Sequence, residues 1–318
     1  MKGGKIVAAR KNLSILVRND DTGEIFETDE RMSAQGSFTI CEPSTEEQKK
    51  HQENLRNQKS LSKELGGFVK VLYYNNEVLF DEQLGLSKST ITRLMMLSTY
   101  LDFNNVLVKE LPKRRQTADK THEPMERRDI QNVLILEKTA FTVFMKEVEA
   151  CGILIKCDDC YKLSSDVFYK GETSRDVCFT KMYVETVREL YRSVVLTGGV
   201  RAHSTLSFVF QLMPFIHWET NFIVQDRLCA TNDMVPLTLE EMCIILKIGI
   251  TKGNMNTIKK KLLKFKVKFR GSTYHLFNII TIKGEEEEET YFAINPLVYN
   301  SMSDFNGFKE TLSKMWIE

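Results

Sequence analysis

The sequence predicts a mixed α+β fold, mostly helical with small β-hairpins, in which one module of about a hundred residues occurs twice. Three observations carry this. A segment opening Phe68-Val69-Lys70 and closing Val167-Phe168-Tyr169 is echoed by one opening Phe179-Thr180-Lys181 and closing Leu297-Val298-Tyr299. The apolar phase is shared: Ile91, Leu94, Leu97 and Leu101 fall on Leu206, Val209, Leu212 and Ile216 at one constant offset, as Ser89-Thr90 falls on Ser204-Thr205. Near the end of each copy, Ile130, Val133 and Leu134 match Met242, Ile245 and Leu246, and Phe141, Phe144 and Val148 match Met255, Ile258 and Leu262.

Taken in order, residues 1–42 read as a β-hairpin arm, with Asn19-Asp20-Asp21-Thr22-Gly23 as the turn between Leu13–Val17 and Glu24–Phe26. Residues 43–66 are polar and end at Gly66-Gly67, a linker or a solvated helix. The first unit then spans 67–172 and the second 173–302, with a tail helix at 303–318. Each unit begins with a helix after its Phe-x-Lys opening. An apolar helix follows, at roughly 87–101 and 203–218, then a short extended piece (Val106-Leu107-Val108; Phe222-Ile223-Val224) and a variable, partly basic loop.

The last part of each unit is the most specific. In the first, apolar residues at 130, 133 and 134 and then at 141, 144, 145 and 148 follow the spacing of one buried helical face. The break Leu136-Glu137-Lys138-Thr139 is short enough for a helix-turn-helix angle. Gly152 ends the second helix, and Ile153–Lys156 and Tyr161–Leu163 form two strands about Asp158-Asp159. In the second unit Thr238 and Glu241 make a capping box, a helix ends near Lys247, another runs from about Asn254 to Phe265, and strands follow at 274–282 and 290–294. Helix, turn, helix, two-stranded wing is the winged-helix order, here in tandem.

In a helix-turn-helix the second helix enters the major groove. With Met255, Ile258 and Leu262 inward, Asn256, Thr257, Lys260 and Lys264 face outward, with Lys259 and Lys261 on the flanks. Asn can pair with an adenine edge, and Lys with guanine or phosphate. From Lys252 through Lys268 to Arg270 there are eight basic residues and no acid, so this stretch is the leading candidate for duplex DNA. In the first unit Thr139, Thr142 and Lys146 face outward on a slightly acidic helix, and the cations lie before it, at Lys113, Arg114, Arg115, Arg127 and Arg128. Either these grip phosphates, which positions a protein without reading sequence, or the first unit serves packing or dimerisation. The acidic run Glu285–Glu289 falls where the second wing should turn and counts against simple wing docking.

Other chemistry is unsupported. Cys157-Asp158-Asp159-Cys160 lacks a second cysteine pair for zinc, with only Cys151 and Cys178 near in sequence, so no metal or cofactor is expected. Phe208, Phe210, Phe215, Trp218 and Phe222 read as core, and His203 and His217 as structural or surface residues. No phosphate-binding glycine loop, His-Glu-x-x-His or Gly-x-Ser-x-Gly motif is present, nor a His-hydrophobic-His pair, and the expectation is a protein that is not an enzyme. No run of 18 apolar residues argues for a membrane span, the opening Met1–Lys5 leads into no secretory signal, and seven cysteines, an odd number, suit reduced thiols in a cytoplasm.

The pattern Ile130-Gln131-Asn132-Val133-Leu134, Phe141-Thr142-Val143-Phe144, Gly152-Ile153-Leu154 and Val167-Phe168-Tyr169-Lys170-Gly171 resembles the winged-helix core of RepL-like replication proteins of Gram-positive plasmids and phages. Phe179–Met182, Leu237–Glu241 and Asn295–Tyr299 resemble it again. The resemblance covers about residues 68–300 and implies DNA binding in a bacterial cytoplasm, at a replication origin or in control of replication. A transcription regulator would use the same parts. A winged-helix assembly factor that binds protein partners is the alternative from another class, favoured by the acidic wing and a net charge of only +1. Two units in one chain predict two half-sites or a bent site, bound alone or as a homodimer, with replication or transcription proteins as further partners.

Overall fold

The computed structural model describes residues 15–19, 25–28, 38–41, 46–72, 86–117, 121–171, 179–198, 200–283, 288–301, 305–313 and 315–317. It is a mixed α+β structure of helices and several small antiparallel sheets. Two compact units divide it, residues 1–57 and 58–318. In the smaller, β1 (Ile15–Asn19) pairs with β2 (Ile25–Thr28) as the expected hairpin. A third strand, β3 (Phe38–Cys41), pairs with the other edge of β1 and was not legible in the sequence. The polar stretch is a helix, α1 (Glu46–Glu64), whose residues from Gln58 onward belong to the larger unit and bury Leu61 there, with Leu65 just beyond. The boundary thus falls inside a helix rather than at residue 42 or 66.

The larger unit runs β4 (Phe68–Leu72), α2 (Lys88–Ser98), β5 (Val108–Glu110), β6 (His122–Pro124), α3 (Arg127–Val133), α4 (Lys138–Ala150), β7 (Leu154–Lys156), β8 (Tyr161–Leu163) and β9 (Phe168–Tyr169). It continues with β10 (Phe179–Tyr183), α5 (Val184–Gly198), α6 (Val200–Gln211), β11 (Phe222–Ile223), α7 (Leu239–Ile245) and α8 (Lys252–Lys264). Then come β12 (Lys266–Phe269), β13 (Ser272–His275), β14 (Phe277–Lys283), β15 (Glu288–Ile294), β16 (Tyr299–Asn300), α9 (Phe305–Ser313) and β17 (Trp316–Ile317). The first helix expected after Lys70, and Cys178, lie outside the described residues. The second apolar helix stops at Gln211, short of 218, because Leu212 to Phe215 tighten into a 3₁₀ turn around Pro214, which has no N–H to continue an α-helix. The expected tail helix ends at Ser313, and β17 then pairs with β13.

Residues 67–172 and 173–302 are not separate bodies. They share a four-stranded sheet of order β16-β10-β4-β9, in which Lys70 lies directly opposite Lys181 at the middle of the antiparallel β4–β10 pair. On either side the register repeats: Val71 pairs with Phe168 and Met182 with Tyr299. Beneath, α2 packs on α6, and one continuous apolar core takes Leu94 and Leu97 from one half with Leu206 and Val209 from the other. This arrangement has a local two-fold axis between the two lysines, as in an isologous dimer.

The two halves also repeat their least substitutable contacts. Asn105 and Asn221 are both buried and both left-handed, at φ 58°. Asn105 Nδ2 donates to the carbonyls of Phe168 (2.7 Å) and Leu163 (3.4 Å), and its Oδ1 accepts from Lys170 N (3.3 Å). Asn221 Nδ2 donates to Tyr299 (2.6 Å) and Ile294 (3.3 Å), and its Oδ1 accepts from Ser301 N (3.1 Å). Each asparagine therefore ties a turn to the closing strand of its own half. Capping boxes start both α3 (Glu126 with Asp129) and α7 (Thr238 with Glu241). Both helices end in a left-handed residue, Ile135 (φ 54°) and Lys247 (φ 52°), with a sixth-to-first closure from Leu136 N to Gln131 O and from Ile248 N to Cys243 O. For β-branched Ile135 that conformation costs about 1–2 kcal/mol, which the sharp turn between α3 and α4 imposes.

At the seam between the halves, Arg93 of α2, Tyr191 of α5 and His203 of α6 are buried together. Tyr191 donates to the carbonyl of Leu134 (2.9 Å) and meets the His203 ring edge-on at 5.5 Å. Burial, then the neighbouring Arg93 charge, hold the His203 imidazole down to about 4. Its unfolded value is near 6.5, so the unfolded chain binds more protons in the window between these values and stability falls as pH drops through it. Unfolding free energy is expected to decline by about 2–3 kcal/mol between pH 6.5 and 4, and His203→Gln should flatten that decline. An unchanged pH profile in the variant would remove His203 as its source.

Candidate nucleic-acid interface

Residue by residue, α8 separates an inward and an outward side. Ile258 and Leu262 are buried and Met255 is half-buried, while Lys252, Asn256, Thr257, Lys259, Lys260 and Lys264 are exposed. Thr251 caps the helix by accepting from Asn254 N. Thr257 Oγ1 donates back to Gly253 O (2.8 Å). No acidic residue lies on this helix, so its charge is left to solvent and to whatever polyanion meets it.

Two of the expected contact residues point elsewhere. Lys261 is half-buried, with its ammonium 5.5 Å from the Phe208 ring. Lys88 from α2 approaches the same ring at 5.5 Å and donates to Leu246 O (2.6 Å). Burial first, then Lys247 and Lys261, push the Lys88 ammonium below its usual range. Lys261 therefore belongs to the seam between the halves. Helical flanks are ambiguous from a wheel, and here the neighbour α6 decided the side. Arg270, at the turn of the β12–β13 hairpin, is gripped in fork geometry by Glu64, Nε to Oε1 at 2.7 Å and Nη2 to Oε2 at 2.5 Å. That hydrogen bond holds the Glu64 carboxyl below its ordinary value. Arg270 fastens the hairpin to α1 and is not free to reach a phosphate. Lys268 stays exposed, and Lys266, which the sequence reading did not single out, joins it on the same strand side two residues away.

In the first half, Thr139, Thr142 and Lys146 are exposed on α4, with Thr142 Oγ1 donating to Lys138 O (2.9 Å). Lys113, Arg114 and Arg115 form an exposed 3₁₀ turn. Arg127 lies over the Phe141 ring (5.2 Å) and 3.8 Å from Glu149, and Arg128 is exposed. Lys138 is a further exposed cation, unmarked in the sequence reading. Arg127 and Arg128 open α3, Lys138 opens α4 and Lys252 opens α8. Cations in a first turn oppose the helix dipole, at about 0.3–1 kcal/mol each. Four such placements gain a purpose if phosphates sit at these helix starts, where backbone N–H groups also point outward.

The second half's counterpart of the β7–β8 hairpin is β14–β15, since Phe222 and Ile223 of β11 pair with Ala293 and Phe292 as Val106 and Leu107 join Lys162 and Tyr161 in the first. The β12–β13 hairpin is inserted between α8 and β14. Of the acidic run, Glu288 and Glu289 lie in β15, and 284–287 lie outside the described residues. The β7–β8 hairpin turns at exposed Asp158 and Asp159, with Cys157 N donating to Cys160 O (2.9 Å). Burial and the Cys157 hydrogen bond raise the Cys160 thiol. Among the described residues, no group of three or more His, Cys, Asp or Glu has the geometry for a metal ion.

His203 and His217 are both buried, the latter contacting Thr220 Oγ1 (3.1 Å) and Cys229 O (3.0 Å). Phe208, Phe210 and Phe222 are core and Phe215 is half-buried, but Trp218 is a correction: it is 39 % exposed, with its indole N–H donating to Cys229 O (3.3 Å). Among the described residues no helix is long and apolar enough to cross a membrane. Comparison with protein-family models, curated proteins and solved structures returned no match.

Proposed function

We propose that this chain binds double-stranded DNA through two winged-helix units in tandem, with α8 as the principal reading helix and α4 as its weaker counterpart. The supporting observation is the outward side of α8, where Asn256, Thr257, Lys260 and Lys264 are exposed together with no acid on the helix. In the first half, Lys113–Arg115 and Arg128 supply backbone grip more than base readout. Because the halves are related by a two-fold between Lys70 and Lys181, the half-sites they meet run in opposite directions. The narrower role, initiation or control of replication of a plasmid or phage, rests on the RepL-like sequence pattern alone.

Selection of bound sequences from random duplex DNA tests the reading. An enriched motif of two inverted half-sites is expected, the stronger one under α8. Recovery of unenriched sequence, or of two half-sites in the same direction, would count against the proposal.

A further inference from the structure

The lysine-rich side of α8 has an opposite. From Glu219 to Leu246 the only basic residue is Arg227, and it is buried at 3 % exposure. Along the same stretch Glu219, Asp226, Asp233 and Glu240 are exposed. So are large apolar side chains, Ile244 at 61 % and Val235 at 50 %. These are not scattered. Gln225 N donates to Val235 O (3.0 Å) and Gln225 Nε2 to Glu241 Oε1 (2.6 Å), which ties the segment around Val235 to α7. Beside α7 is a groove of about 310 Å³ lined by Phe215, Leu237, Ile245, Ile244, Gln225 and Glu241, with exposed Val235 two residues before Leu237 on the same extended segment.

The first half shows what this surface is like when nothing apolar is asked of it. Met125 N donates to Leu107 O just as Leu237 N donates to Ile223 O, so Val235 corresponds to Glu123 and, along the helix, Ile244 to Asn132. Gln225 corresponds to Lys109, which binds Asp129 (2.8 Å) and Glu123 (3.2 Å). The second half has thus exchanged two polar side chains for apolar ones and removed the cation that neutralised the acids. Lys247 lies one turn beyond Ile244, where the first half carries the exposed Ile135, and a clustered apolar patch with a polar rim marks an interaction site.

We propose that this groove docks an amphipathic helix of another protein, with an apolar stripe seated on Ile244, Val235 and Leu237 and with Lys or Arg flanks against the acidic rim. Charge selects this occupant. A second copy presenting the same groove would bring like-charged rims together, and the chain's own basic helix α8 has its apolar side buried. An anionic membrane surface would be repelled for the same reason.

The test uses the full chain and two labelled 18-residue probes with identical leucine stripes, one with lysine and one with glutamate at the other positions, followed by fluorescence anisotropy. The Leu/Lys probe is expected to bind at least about tenfold more tightly than the Leu/Glu probe. Ile244→Asn with Val235→Asn should weaken it about tenfold or more, with the melting temperature and duplex-DNA affinity unchanged, because both side chains are exposed. Glu240→Gln with Asp233→Asn should narrow the difference between the probes. Amide exchange should slow between residues 215 and 245 when the Leu/Lys probe is bound. Equal binding of the two probes, no binding, or full binding to the Ile244/Val235 variant would overturn the proposal. So would concentration-dependent self-association abolished by the same variant, which would give the groove to a second copy. Loss of DNA binding in the α8 variants leaves this result untouched, so the two readings fail separately.

Discussion

Lys260→Ala with Lys264→Ala is expected to weaken binding to duplex DNA about ten- to hundredfold near 0.1 M salt, and to lower the slope of log K against log salt by about 2. Each lysine that neutralises a phosphate releases condensed counterions, so the slope reports how many such contacts are lost. Both side chains are exposed, on the side of α8 away from buried Ile258 and Leu262, so stability should hold. Lys261→Ala gives the contrast. Its ammonium lies over Phe208, so its removal should leave the slope alone and reduce stability instead. Equal slopes for the parent and the Lys260/Lys264 variant would detach α8 from the duplex.

Asn221→Ala is expected to destabilise the chain by about 3 kcal/mol or more in urea unfolding, and Asn105→Ala by a similar amount. Three causes add. Alanine at φ 58° costs about 1 kcal/mol where asparagine is tolerated. The buried carbonyls of Tyr299 and Ile294 and the half-buried amide of Ser301 lose their partner. The closing strand β16 is then no longer tied to the turn before β11. A loss below 1 kcal/mol at either site would mean that neither asparagine holds its half together.

The sequence was informative wherever periodicity met a cap. The spacing of Ile130, Val133, Phe141 and Phe144, and of Met242, Ile245, Ile258 and Leu262, gave α3, α4, α7 and α8 to within a few residues, because these helices bury one face against a shared core. The Thr238–Glu241 capping box was legible from its residue types alone, and Glu126–Asp129 was missed because glutamate is an uncommon N-cap. The β12–β13 hairpin escaped because its strands blend into the lysine run, although Arg270-Gly271 is a two-residue turn with both φ values positive. No local pattern could show that β4 and β10 pair, since that contact joins residues more than a hundred positions apart. For the same reason the partners of Lys261 and Arg270, Phe208 and Glu64, were hidden: both are long-range neighbours. Exposure of Lys260, Lys264 and Asn256 followed directly from the wheel, whereas the apolar groove by α7 is lined by residues from Phe215 to Ile245 that meet only in the folded chain.

Site-directed photo-crosslinking to a selected duplex bears most directly on the central claim, that the outer side of α8 lies along DNA. A benzophenone side chain at position 256 is expected to form a DNA adduct that salt suppresses, while the same group at 244, on the acidic side, gives none. Adducts from position 244 and none from position 256 would contradict the account.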